Sequence, residues 1–149
     1  MDYASEILKK FLNLYWVRPE TAFWRTLDVL QMKSVEFKKP ILDIGCGDGS
    51  FSFTNFGGSV DYSFDVYRTI KNTSGFFKGV DIHNQHKLIK PKIIKKVEKK
   101  IDVGLDWKKN LLTKAEQFNT YEKLINHDSN KKLPFKDETF ETIFSNTFY

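Results

Sequence analysis

A single cysteine, Cys46, stands among the 149 residues, so no intramolecular disulfide is available and the chain fits a reducing compartment. Long apolar runs are missing as well. No stretch approaches the ~18 consecutive apolar residues of a membrane-spanning helix. The opening MDYASEILKKFLNLYWVRPE carries charge throughout and offers no apolar core for a secretory signal. These absences point to a cytoplasmic location, where the Asn72-Thr73-Ser74 sequon carries no information. Histidines are few, and His83 and His86, although spaced i, i+3, have no cysteine or glutamate cluster around them, so no metal centre is expected. The sequence contains no internal repeat and no G-x-x-x-x-G-K-[ST], which excludes an ATP-binding P-loop.

What remains is an ordinary globular composition, 40% hydrophobic and 29% charged, in a chain long enough for one domain with a core. The 14 phenylalanines are expected to divide between that core and a substrate pocket. A net charge of +5 is compatible with an anionic substrate or nucleic acid and requires neither.

Periodicity divides the chain into alternating elements. Ile7, Leu8, Phe11, Leu14 and Tyr15 recur at helical spacing. Pro19 suits the first turn of a second helix that carries an apolar stripe of Phe23, Leu27 and Leu30 and ends near Lys33. Residues 40–44 read as a buried strand, followed by a glycine loop and a short helix over 50–55 that Gly57-Gly58 stops. Further strands are expected over 101–105, 121–126 and 140–144, with a helix over 107–119 carrying Leu111, Ala115 and Phe118 on one face. Leu133-Pro134-Phe135 reads as a loop anchor. Strands alternating with helices predict an α/β fold with a parallel sheet, whose ligand site lies at the carboxyl ends of the strands. Those ends are Ile44-Gly45, Leu105-Asp106, His127-Asp128 and Ser145-Asn146.

The stretch PILDIGCGDGS, residues 40–50, carries the most chemistry. Glycine after a strand permits a tight turn with positive φ and lets a ligand touch the backbone. The dinucleotide fingerprint G-x-G-x-x-G/A fails here, because Ser50 stands at its third position and Asp48 sets a carboxylate where pyrophosphate would lie. A ligand with a positive centre and no phosphates fits better, and S-adenosylmethionine has that character.

The run Leu42-Asp43-Ile44-Gly45-Cys46-Gly47-Asp48-Gly49 resembles the first motif of class I S-adenosylmethionine-dependent methyltransferases. HDSNKKLPFKDETFETIFSN, residues 127–146, is similar to the pattern around the third and fourth strands of those enzymes, and within them the chain looks most like the type 11 group. The resemblance covers about residues 40–56 and 101–147. It implies a Rossmann-like methyltransferase fold over 39–149 with an insertion at about 57–100, preceded by a helical cap at 1–38. It also implies a seven-stranded sheet, so a chain ending just after strand four is expected to be incomplete, with its activity alone in question.

On this resemblance Asp43 orients the glycine loop and helps accommodate the methionine ammonium, and Gly45, Gly47 and Gly49 lie under the methionine and ribose. Cys46 between them is expected to fill space rather than to act as a nucleophile. A ribose-binding acid is expected about 20 residues after the glycines, which favours Asp61 or Asp65. Asp106 is preferred because Val103-Gly104-Leu105-Asp106 resembles the family's second strand ending, a clean helix follows, and Asp128 comes after a helix-plus-strand interval. Trp107 is placed beside the adenine or packs at the helix start. Asp128 accepts from the adenine amino group or caps a turn, with Ser129 offering a backbone N–H. Asn146 sits where acceptor and methyl donor meet. His127 is read as a surface histidine rather than a base.

The expected activity is methyl transfer to a small molecule or a sugar-containing intermediate. The insertion, Arg18-Pro19-Glu20 and Trp24-Arg25 lean this toward cell-surface polysaccharide synthesis. The competing reading is an RNA or DNA methyltransferase, supported by KLIKPKIIKKVEKK with its seven lysines. That run lacks arginine and the interleaved aromatics that base stacking needs, so a solvated face is favoured and a nucleic-acid partner is not expected. A third reading is a non-catalytic binding or scaffold module pairing through the strand-four edge.

Overall fold

The computed structural model describes residues 2–69 and 88–146. The chain opens with α1 (Tyr3–Tyr15), capped by Asp2, whose carboxylate accepts the Ser5 amide and hydroxyl, both at 2.9 Å. It buries Ile7, Phe11, Leu14 and Tyr15, as the periodicity predicts. Helix α2 (Pro19–Met32) begins on Pro19, which tolerates the first turn because its missing N–H is not needed there.

The apolar stripe of α2 is not the expected one. Ala22, Thr26 and Val29 are buried, Leu27 and Leu30 are half-buried, and Phe23 is 51% exposed. The helix turns its small side chains toward α1, where they permit close approach, and Thr26 satisfies its hydroxyl on the Ala22 carbonyl at 2.8 Å.

Strand β1 (Ile41–Ile44) is the centre of a four-stranded parallel sheet. Its neighbours are β4 (Ile101–Asp106) on one side and β6 (Thr142–Phe144) on the other, with β5 (Tyr121–Asn126) outside β4. The registers Ile44↔Leu105, Leu105↔Ile125 and Asp43↔Phe144 bring all four carboxyl ends to one edge. The chain runs outward from β1 through β4 to β5 and then returns to the opposite side of β1. That reversal is a topological switch point, the usual ligand site of an open α/β sheet. The result is an α/β architecture compatible with a Rossmann-like arrangement.

Two expected elements are shorter than the periodicity suggests. Instead of a helix over 107–119, α4 (Lys109–Ala115) is followed by a 3-10 turn, Glu116–Phe118, ended by Asn119 at φ 52°. Residues 107 and 108 belong to the turn after β4. Strand β6 starts at Thr142 rather than 140, because Phe140 packs edge-on against Phe135 at 4.9 Å, which gives 133–135 its anchoring role.

Between α3 (Ser50–Asn55) and β4 the chain forms a small antiparallel ribbon that the sequence did not announce, β2 (Ser59–Val60) with β3 (Ile93–Lys95). Strand β3 takes up three residues, Ile93–Lys95, of the described lysine-rich run. Lys92 pairs with Asp61 at 3.5 Å, Lys95 with Glu98 at 2.6 Å and Lys100 with Glu122 at 3.6 Å, while Lys99 donates to the Phe37 carbonyl.

Two apolar clusters hold the fold. One joins α1, α2, α3, Val60 and Phe118; the other packs Ile41, Ile101 and Tyr121 of the sheet against Leu112 and Ala115 of α4. Among the described residues no helix is long and apolar enough to cross a membrane.

Candidate functional site

A cleft of about 750 Å³ opens at the carboxyl edge of the sheet, above β1. That lies within the range of small-molecule sites. Its floor is the glycine loop. Gly45, Gly47 and Gly49 have φ of 72°, 58° and 76°, the left-handed region that favours glycine. Two of them answer to different needs. A Cβ on Gly49 would stand 3.0 Å from the Ala115 Cβ and 3.3 Å from the Tyr121 ring, so this glycine lets the loop pack on α4 and β5. A Cβ on Gly47 would meet nothing within 4 Å, so here the bare backbone faces open cleft.

Asp106 at the end of β4 is 6% exposed and joins this floor directly. Its Oδ2 accepts the Gly47 amide at 2.9 Å, and its Oδ1 accepts the Lys108 amide at 2.8 Å. The two acids favoured by spacing lie elsewhere. Asp61 turns to the Ser63 amide and Lys92. Asp65 is buried and accepts the Val17 and Tyr67 amides at 2.9 and 2.8 Å, tying the α1–α2 link to the insertion. Neither belongs to the described lining of the cleft.

Asp43 is 2% exposed, and one oxygen, Oδ2, receives both the Ser52 hydroxyl at 2.5 Å and the Tyr121 hydroxyl at 2.7 Å. It therefore fastens α3 and β5 to β1. Burial pushes its carboxyl up to about 6, against the two hydrogen bonds, which favour the charged form. The same burial, with Asp43 beside it, raises the Tyr121 hydroxyl well above its usual value.

Cys46 fills the loop from the inside. Burial first, then the negative charges of Asp43, Asp106 and Asp48, push its thiol far up, so the thiolate needed for nucleophilic chemistry is suppressed. Asp48 is turned along the loop, where its Oδ1 accepts the Ser50 amide at 3.0 Å and the Ser50 hydroxyl at 2.5 Å. Ser50 in turn hydrogen-bonds the buried Tyr15 hydroxyl, so the last residue of α1 is linked to the glycine loop.

The remaining expected residues divide by role. Trp107 lines the cleft and is 67% exposed, with the Lys108 ammonium over its ring at 5.2 Å, so it does not pack at a helix start. Asp128 and Ser129 reach the cleft from the loop after β5. The Asp128 Oδ1 also closes a turn by accepting the Asn130 amide at 3.0 Å and the Asn130 side chain at 3.1 Å.

Asn146 lines the opposite wall, where it is held by α2. Its Oδ1 accepts Arg25 Nη1 at 3.0 Å, and its amide donates to Asp28 at 3.4 Å. Arg25 also lies over the Phe51 ring at 5.2 Å. His127 faces the Lys132 carbonyl at 3.1 Å, outside the described lining. His83 and His86 lie outside the described residues, and among those described no group of metal-ligating side chains assembles.

Sequence reasoning missed the cleft wall formed by Tyr15, Thr21, Arg25 and Tyr67. For α2 a signal existed: Thr21, Arg25 and Asp28 follow helical spacing, on a face adjoining the buried one. No local signal marks Tyr15 or Tyr67.

The site thus has four carboxylates, an open glycine backbone and two cations, Arg25 and Lys108, among its described lining. This favours a ligand that presents positive charge and hydroxyls to the strand ends. Compared with known proteins, the chain matches no family model, no curated sequence and no solved structure.

Proposed function

We propose that the chain binds S-adenosylmethionine and takes part in methyl transfer to a small molecule or sugar-containing acceptor. The observation that carries this reading is the union of Gly47 and Asp106, an uncovered backbone beside a nearly buried carboxylate at the switch point of a parallel sheet. The residues fit the group. Asp106 would receive the ribose hydroxyls, Asp128 and Ser129 the adenine edge, and Trp107 its face. Gly45 and Gly47 would leave room for the methionine, whose ammonium is favoured by the acids around Cys46.

When bound, S-adenosylmethionine supplies an electrophilic methyl on its sulfonium, open to in-line displacement. The chain's own part is proximity and alignment. The glycine loop fixes one reactant, and the α2 wall with Thr21, Arg25 and Asn146 confines the other. No residue of the cleft is assigned as a base, and an acceptor acidic enough to react without one would need none.

The test is calorimetric titration of the purified chain with S-adenosylmethionine and S-adenosylhomocysteine, with NAD and ATP as controls. Saturable binding of the first pair alone is expected. Binding of NAD or ATP instead, or of none of the four, would overturn the reading.

A further inference from the structure

The Cys46 thiol feels three acids, Asp43, Asp106 and Asp48, and two of them are committed elsewhere. Asp43 is 2% exposed, and its Oδ2 holds the Ser52 and Tyr121 hydroxyls. Asp106 sets each of its oxygens on a backbone amide, Gly47 and Lys108. Asp48 differs. It lines the cleft, it is half-buried, and both of its described hydrogen bonds, from the Ser50 amide and hydroxyl, fall on one oxygen, Oδ1. None of the ion pairs among the described residues includes it. The two lining cations are placed on other groups, Arg25 on Asn146 and Asp28, and Lys108 over the Trp107 ring. Lys114 shares a smaller cavity behind the loop with Asp48 and feels its charge, but burial lowers the Lys114 ammonium.

What holds Asp48 comes from α1. A serine hydroxyl has a single proton. Ser50 gives that proton to Asp48 Oδ1 at 2.5 Å, so toward Tyr15 it accepts, and the Tyr15 hydroxyl is the donor. The hydrogen bonds therefore run in one direction, from Tyr15 to Ser50 to Asp48, and all three residues line the cleft. Tyr15 is 5% exposed, and its ring lies 6.2 Å from those of Phe11 and Tyr67. Burial, then the charge of Asp48, push its hydroxyl above the ordinary value, which keeps the donated proton in place. Without this donor the Ser50 hydroxyl could turn away from Asp48.

We propose that Asp48 reads the primary ammonium of the ligand and that Tyr15 is the positioning residue that aims it. A carboxylate in a partly buried site gains most from a cation that also hydrogen-bonds to it. Of the two positive centres of S-adenosylmethionine, the ammonium has three N–H donors and the sulfonium has none. The family resemblance gives this role to Asp43, whereas the geometry transfers it to the acid inside the loop. The inference rests on the S-adenosylmethionine reading of the cleft, and it makes the first helix part of the ligand site.

The test is calorimetric titration of the full chain with S-adenosylhomocysteine and with its deamino analogue, in which hydrogen replaces the amino group. The parent should prefer the first about 30-fold, as expected for a hydrogen bond between charged groups. Asp48→Asn should reduce that preference to about threefold or less. Tyr15→Phe keeps the packed ring and should cut the preference about three- to tenfold, with the affinity for the analogue unchanged. Added to Asp48→Asn, it should do nothing further. A lesion that only loosens the fold weakens both ligands alike, and that result for Tyr15→Phe would overturn its positioning role. Loss of the preference in Asp43→Asn but not in Asp48→Asn would overturn the proposal and return the ammonium to Asp43. Equal binding of both ligands by the parent would also sink it, while leaving the methyl-transfer reading in place. Binding of neither would overturn both.

Discussion

The Asp106 carboxylate accepts the Gly47 amide at 2.9 Å, joining two residues that lie 59 positions apart in the chain. The parallel pairing of β1 with β4 makes this contact, since Ile44 and Leu105 are register partners and the next residues turn toward each other. One oxygen holds the loop and the other holds the turn into α4, so the acid is fixed before any ligand arrives. Replacing it with Ala should weaken S-adenosylmethionine binding about 30-fold, as expected when a hydrogen bond to a charged group worth about 2 kcal/mol is lost. Unchanged affinity in calorimetry would show that strand β4 does not supply the ribose acid.

The glycines of the loop should separate into two kinds of lesion. Gly47→Ala adds a methyl to open space at φ 58° and should cost about 1–2 kcal/mol of stability, while removing ligand binding. Gly49→Ala adds the same strain plus a methyl 3.0 Å from the Ala115 Cβ, and should cost about 2–4 kcal/mol. Urea unfolding compares them directly. Equal losses would mean that α4 yields to the methyl.

Asp43 gives stability a pH dependence of unusual sign for a carboxylate. The folded chain keeps this proton to about pH 6, whereas an unfolded aspartate releases it near 3.8. The stabilisation is therefore full below the lower value and is lost as pH rises through the upper one, a fall of about 3 kcal/mol. Asp2, Glu6, Glu20, Asp61 and Glu98 are shifted downward and act in the opposite direction, so the effect is read as a difference. Unfolding of the parent and of Asp43→Asn, compared at pH 4 and pH 7, should show the parent losing about 2 kcal/mol relative to the variant, since at pH 4 the unfolded aspartate is already partly ionised. A constant difference would place the proton elsewhere.

Arg25 should matter to the strand end that it reaches. Arg25→Ala removes the bond to Asn146 and the contact with Phe51. Because the group is partly exposed, the expected cost is about 1 kcal/mol, roughly 3 °C in Tm. Amide exchange should accelerate in 142–146 and leave β4 and β5 unchanged. Uniform acceleration across the sheet would contradict a local tie.

Strands β1 and β4 were legible because each is a short, largely apolar run closed by glycine or an acid, a signal contained within a few residues; β5, YEKLIN, was read from Tyr121, Leu124 and Ile125 ahead of His127-Asp128. The ribbon of β2 and β3 was not, since strands of two and three residues carry no periodicity and β3, Ile93-Ile94-Lys95, is embedded in a lysine-rich run. On α2, hydropathy favours Phe23 over Ala22, but packing against α1 rewards the smaller side chain, so the stripe turns to the neighbouring row. The floor of the cleft could be read from the glycines and from Asp106. Its wall could not, because Tyr15 and Arg25 acquire their roles only through contacts with Ser50 and Asn146, distant in sequence and set by the closed fold.

The cluster that buries Ile7 and Phe11 also contains Phe53, Val60 and Phe118. During synthesis α1 leaves the ribosome long before those partners exist. Helix α2 can cover part of its apolar face early, but the rest is covered only when the chain has been made through residue 118. Completion of this cluster therefore waits on contacts of long sequence separation, the kind that slows folding.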